Sequence, residues 1–392
     1  MTFSARTAWE LGENALSASA NALRSGGGEL LDLTLSNPTA CGLSYPDAAL
    51  LAPLSAPAAL TYDPQPFGLA SARAAVAQYY AGHGAAVPLE HLCLTTSTSE
   101  AYSYLFRLLC DPGDEVLIAR PSYPLFDFIA RLDSVQLREY PLHYDPGALS
   151  GSAHAWTIDF DALRSAITPR TRAVILVHPN NPTGNYASEA ERLALEQLCA
   201  EHGLALIVDE VFLDYPMDPQ ARPRSFAAGE GPALCFVLSG LSKVCALPQM
   251  KLSWIAARGP QAVLADALAR LEVVADTFLS VSAPTQTALP YWLRGRDAMQ
   301  DQIRSRVRSN LTVLDRQLTG STAQRLALAG GWTAVMRVPR DVRGKSFAEA
   351  ALDRGVLVQP GEFYGLPPGR AVVSLLTPPE VLHRGLDLLP ID

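Results

Sequence analysis

Lys243 is the residue in this sequence best placed for covalent chemistry. It follows the apolar run ALCFVL (233–238), within VLSGLSKVCALPQMKLSW (237–254), with Ser239 and Ser242 beside it and a second lysine, Lys251, eight positions on. A primary amine at a partly desolvated strand end, near another cation, loses basicity and becomes a nucleophile toward aldehydes. A solvated loop lysine is the plainer alternative. Other polar groups follow apolar runs in the same way: Ser97, Thr98 and Ser99 after HLCLTT (91–96), NNPTG (180–184) after RAVILVH (172–178), and Asp209 after LALIV (204–208). Ser97 and Glu100 have capping-box spacing, so a helix is expected to start there with free N–H groups and three hydroxyls turned toward an anion such as phosphate. Asp209 needs a cation or donor at its strand end, or else serves as a structural salt bridge or helix cap. A phosphate site, a carboxylate, an asparagine and a reactive amine together fit one molecule, the phosphorylated aromatic aldehyde pyridoxal 5'-phosphate (PLP).

These groups converge only if the apolar runs are neighbouring strands. Seven runs, at 91–96, 115–119, 135–139, 172–178, 204–208, 233–238 and 252–257, alternate with helical segments, the signature of a mostly parallel sheet covered on both faces. Ligands in such sheets bind at the carboxyl ends of the strands. Residues 8–24 read as an exposed amphipathic helix closed by three glycines, and 41–66 as irregular connection. A long helical stretch from Gln261 leads to GGWTAVMRV (330–338), GVLVQPG (355–361) and RAVVSLL (370–376), a small α+β unit that the strand near 29–35 can join. The expected division is a large domain over 46–285 and a small one from 1–45 with 286–392.

The chain has 392 residues, 48% of them hydrophobic and 18% charged, with a net charge of -8. Such a chain is an ordinary globular protein and a poor general nucleic-acid binder. Its six cysteines show no metal-site spacing, and no signal peptide or membrane span is evident, so a reducing cytoplasm is expected. Dinucleotide, P-loop, zinc-protease and α/β-hydrolase motifs are missing.

Taken in order, HPNNPTG (178–184), VDEVFLDY (208–215) and SGLSK (239–243) resemble the class I/II aminotransferases, PLP enzymes of the aspartate aminotransferase fold. The resemblance implies that Lys243 holds PLP as a Schiff base and shuttles a proton, that Asp209 pairs with the pyridine nitrogen, and that Asn181 meets the phenolic oxygen. It also implies that Tyr123 stacks on the ring and that Ser97, Thr98, Ser99, Ser239 and Ser242 bind the phosphate. Tyr62 would reach the phosphate of a neighbouring subunit in a homodimer, and Asn37 would touch substrate.

Against the family pattern, Lys251 stands in place of an arginine at the phosphate and Phe212 in place of a tyrosine donor. Val372 occupies the position of the arginine that clasps the substrate carboxylate. Arg370, two residues earlier on the same strand face, is either a substitute or an exposed strand-end arginine. The expected function is amino-group transfer from an amino acid to a 2-oxo acid. A PLP-dependent lyase or decarboxylase is the alternative, and a PLP- or amine-binding regulator without turnover a third.

Overall fold

The computed structural model describes residues 2–147 and 155–391. Its main sheet has eight strands in the order Leu92–Thr95, Ser253–Arg258, Cys235–Gly240, Ala205–Asp209, Thr171–Val177, Glu115–Arg120, Gln136–Tyr144 and Trp156–Ile158. The central pairings are parallel, Ser253–Arg258 runs antiparallel to both neighbours, and Trp156–Ile158 is an antiparallel edge. The seven expected strands are all present. The eighth is too short for a periodicity to declare itself, since its three residues bury only Trp156 and Ile158.

Near-continuous apolar strands require cover on both faces. One face packs under Val76, Tyr80, Leu195 and Leu289, the other under Leu105, Phe106, Ile129 and Leu271. The Glu189–His202 helix shows how local sequence sets these layers. Ser188 and Glu191 form a reciprocal capping box at its start, and Gly203 ends it at φ 64°.

A second, four-stranded antiparallel sheet joins Gln324–Arg325, Thr333–Arg337, Arg370–Ser374 and Gln359–Pro360. Beside it, Leu31–Asp32 pairs in parallel with Val356–Leu357, which brings the N-terminal segment into this unit. The expected division at 285/286 cuts through the Ala283–Arg294 helix, whose Ala288, Leu289, Trp292 and Leu293 pack in the main-sheet core. The first long helix is Ala15–Ser25 and does not extend back to residue 8, because Asn14 caps it by accepting from the Ser17 N–H at 2.8 Å. Trp9 instead packs edge-on against Phe128. No helix among the described residues is long and apolar enough to cross a membrane.

Candidate active site

The strand Cys235–Gly240 delivers the chain straight into the short helix Leu241–Val244 that carries Lys243. Gly240 is needed at this junction: a Cβ there would lie 2.1 Å from Ser253 Oγ on the next strand. Three side chains then fix the backbone around the lysine. The Tyr215 hydroxyl donates to the Lys243 carbonyl at 2.5 Å, the Gln300 amide to that of Val244 at 2.9 Å, and the Tyr45 hydroxyl to that of Ala246 at 2.8 Å. The side chain itself is left free, its Nζ lying 4.9 Å from the Trp332 ring and 5.5 Å from that of Phe212. Burial pulls its ammonium down to about 8, against the opposing pull of the negative charge on Asp209.

Lys243 opens into a cavity of about 390 Å³. Asp209, Asn181 and Tyr123 line the same space, and so do Ser97, Thr98, Ser99 and Ser242. Asp209 accepts from the Val211 N–H at 3.1 Å and from the Tyr102 hydroxyl at 3.2 Å. Burial nevertheless pushes its carboxyl up to about 6. Of the two adjacent asparagines, Asn180 builds the turn, donating to the Pro121 carbonyl and Thr183 Oγ1, and Asn181 faces the cavity with its Oδ1 buried and unpartnered. Gly184, at φ 69°, lets this turn approach the Gly330 carbonyl, which a Cβ would meet at 2.3 Å.

The Thr98–Leu109 helix begins at this wall, capped by Ser97 Oγ accepting from the Glu100 N–H at 3.1 Å. The expected capping box is not reciprocal. Glu100 Oε2 accepts from the N–H and hydroxyl of Thr96, one residue before the cap, and its Oε1 from Ser280. In the first turn, the N–H groups of Thr98 and Ser99 have no intrahelical acceptor.

The remaining candidates lie outside the cavity lining. Ser239 is fully buried, with its hydroxyl unpartnered. Lys251 is exposed at the start of the next strand segment, with φ 49°. Tyr62 is 81% exposed. Asn37 is exposed, and its Oδ1 accepts from the N–H and hydroxyl of Thr39. Arg370 donates to the Gly369 carbonyl and is held below the usual arginine range by burial and by Arg337 and Arg340. Sequence reasoning placed Val372 on the opposite wall but missed Tyr102, one helical turn beyond Thr98, and that wall's Thr34, Trp332, Gln359, Tyr364 and Ser374.

The residues present suit PLP. The free N–H groups and hydroxyls at 97–99 match a phosphate, and the unpartnered Asn181 faces the cavity beside Asp209. Lys243, with no carboxylate in ion-pair contact among the described residues, is an amine that could hold an aldehyde.

Comparison with known proteins gives the same direction. A family model described as "Aminotransferase class I and II" matches residues 46–388. The chain is 29% identical over 286 residues to the glutamate-pyruvate aminotransferase AlaA of Escherichia coli (strain K12), covering 72% of this chain and 68% of the relative. An alanine aminotransferase of Mycobacterium tuberculosis is 29% identical over 283 residues, covering 72% of this chain and 64% of the relative. Among solved structures, the alanine aminotransferase from Pyrococcus furiosus superposes with a TM-score of 0.86 at 21% identity, covering 99% of this chain and 98% of the other. An aminotransferase from Escherichia coli gives 0.84 at 23% identity, covering 99% and 97%.

Proposed function

The chain belongs to the class I and II aminotransferase family, and from that premise we propose how its own residues carry the reaction. Members use PLP, and the activity is transfer of an amino group from an amino acid to a 2-oxo acid. PLP, when bound, supplies an electron sink for the negative charge left at the substrate's Cα.

Lys243 would hold the cofactor and, with its amine free, would carry the proton between the substrate's Cα and the cofactor's C4'. Its amine, brought down to about 8 by burial, is a competent base near neutrality. Asp209 would pair with the ring nitrogen and Asn181 would donate to the phenolic oxygen. Ser97, Thr98, Ser99 and Ser242 would hold the phosphate together with the first N–H groups of the Thr98–Leu109 helix, with the buried Ser239 as a further hydroxyl and Lys251 as counter-charge. Tyr123 would stack on the ring. The observation that carries this reading is the meeting of Lys243, Asp209, Asn181 and the 97–99 hydroxyls in one cavity.

The assembly is a homodimer in which Tyr62 reaches the phosphate of the other subunit. The exposure of both Leu60 and Tyr62 on the single chain supports this. Six free cysteines, five of them buried, suit a reducing cytoplasm.

The relatives' printed names make alanine and pyruvate the first pair to try. Purified protein loaded with PLP is expected to lose its visible absorption on addition of L-alanine and regain it with pyruvate. Loss without recovery, accompanied by ammonia or carbon dioxide, would replace transfer with a lyase reaction. Lys243→Ala is expected to abolish both changes.

A further inference from the structure

An amino acid brings a carboxylate into this cavity, and no arginine lines it among the described residues. Its one lining lysine is Lys243. An unpaired buried carboxylate is costly, so among this chain's own lining residues uncharged donors must meet it. On the wall opposite Lys243 two hydroxyl donors are already engaged, while the buried indole N–H of Trp332 has no acceptor. Thr34 donates to Asp32 at 2.6 Å, and Thr333 donates to the Pro182 carbonyl at 3.0 Å. Ser374 Oγ accepts from the Leu376 N–H at 3.2 Å, a bond that does not use its own O–H.

Gln359 offers two donors from a single side chain. It lies directly across the strand pair from Val372, and both line the cavity. Its Oε1 accepts the hydroxyl of Tyr364, and its amide nitrogen has no partner among the described residues. Tyr364 is itself fixed: it is buried, and its carbonyl accepts from the Ser122 N–H at 2.9 Å. With the amide oxygen taken by this phenol, the two amide hydrogens are what Gln359 has left to offer.

We propose that Gln359, oriented by Tyr364, recognises the carboxylate of the amino acid substrate through neutral hydrogen bonds instead of an ion pair. This rests on the aminotransfer reading of the cavity. Burial keeps the Tyr364 phenol protonated well beyond neutral pH, so the orienting bond persists across the working range.

The test uses PLP-loaded wild type, Q359L, Q359E and Y364F, following loss of visible absorption with L-alanine and with L-alaninamide, whose carboxylate is replaced by a neutral amide. The readout is the ratio of the two second-order rate constants. Hydrogen bonds to charged groups set the expected drop in that ratio at about 10- to 100-fold in Q359L. Q359E is expected to fall further, because it sets carboxylate against carboxylate. Y364F should lie between wild type and Q359L, since its amide remains but can turn. Visible absorption before substrate, equal to wild type, shows that each variant is folded and loaded. A ratio unchanged to within about twofold in both Q359L and Q359E overturns the proposal while leaving aminotransfer intact. A loaded wild type whose absorption no amino acid discharges overturns the aminotransfer reading, and this inference with it.

Discussion

The Tyr102 hydroxyl donates to Asp209 Oδ2 at 3.2 Å, tying the start of the Thr98–Leu109 helix to the end of the Ala205–Asp209 strand behind the cavity. Helix and strand each contribute to the site, Thr98 and Ser99 from one and Asp209 from the other. The bond therefore fixes the carboxylate relative to the turn at 97–99. It also helps to keep a buried carboxylate ionised, alongside the Val211 N–H.

Tyr102→Phe tests the electrostatic half of this statement. Burial raises the Asp209 carboxyl from 3.8 to about 6, so the folded apoprotein takes up a proton before the unfolded chain does as pH falls. Stability of the apoprotein therefore rises as pH drops through about 6 and levels off near the unfolded value. Removing a donor to the ionised form lifts the folded value further. The variant is expected to be less stable than wild type by about 1–2 kcal/mol at neutral pH, with the difference shrinking toward pH 4. Chemical denaturation of both apoproteins across that range checks it, and an equal loss at both ends would show that packing alone is at stake.

Lys243 gives a second pH signature. Burial lowers its ammonium from 10.5 to about 8, and only the neutral amine attacks an aldehyde. The rate at which apoprotein captures PLP should climb with pH and level off above about 8. Borohydride reduction followed by peptide mass analysis should place the adduct on Lys243. A rate still climbing toward pH 10 would mean that the amine is solvated.

How much of this site the sequence discloses depends on which wall is considered. Asp209, Asn181, Lys243 and the 97–99 hydroxyls each follow a run of buried strand residues. A parallel sheet brings such run ends to one edge, so composition and order suffice to find them. The facing wall is assembled from Thr34, Trp332, Gln359, Tyr364 and Ser374, which come from short, separated segments. They meet only through the registers Gln359↔Val372, Thr333↔Ser374 and Leu31↔Val356, which no periodicity encodes. The S-x-x-E spacing at 97–100 likewise specified a cap without specifying that Glu100 would reach Thr96.

Phe212 forms part of the cavity wall, edge-on to Trp332 at 5.3 Å. In Phe212→Tyr a phenol is added there that can donate to the phenolic oxygen of bound PLP. Such a donor favours the deprotonated Schiff base at Lys243, so the pH midpoint of the visible absorption should fall by about one unit. A spectroscopic titration of variant and wild type measures this directly. An unmoved midpoint would place the new hydroxyl out of reach of the cofactor.

Tyr62 offers a test of the dimer that does not depend on seeing the interface. If each site takes Lys243 from one subunit and Tyr62 from the other, Lys243→Ala and Tyr62→Ala homodimers are each impaired at both sites. A mixed dimer concentrates both lesions in one site and leaves the other intact. Two-fold symmetry and random re-pairing then make half the dimers mixed, with one good site each, so about a quarter of wild-type activity should return. Mixing the two variants under conditions that exchange subunits, and assaying L-alanine with 2-oxoglutarate, reads this out. Sedimentation checks that dimers are present. Activity that never exceeds the mean of the two parents would confine each site to a single chain.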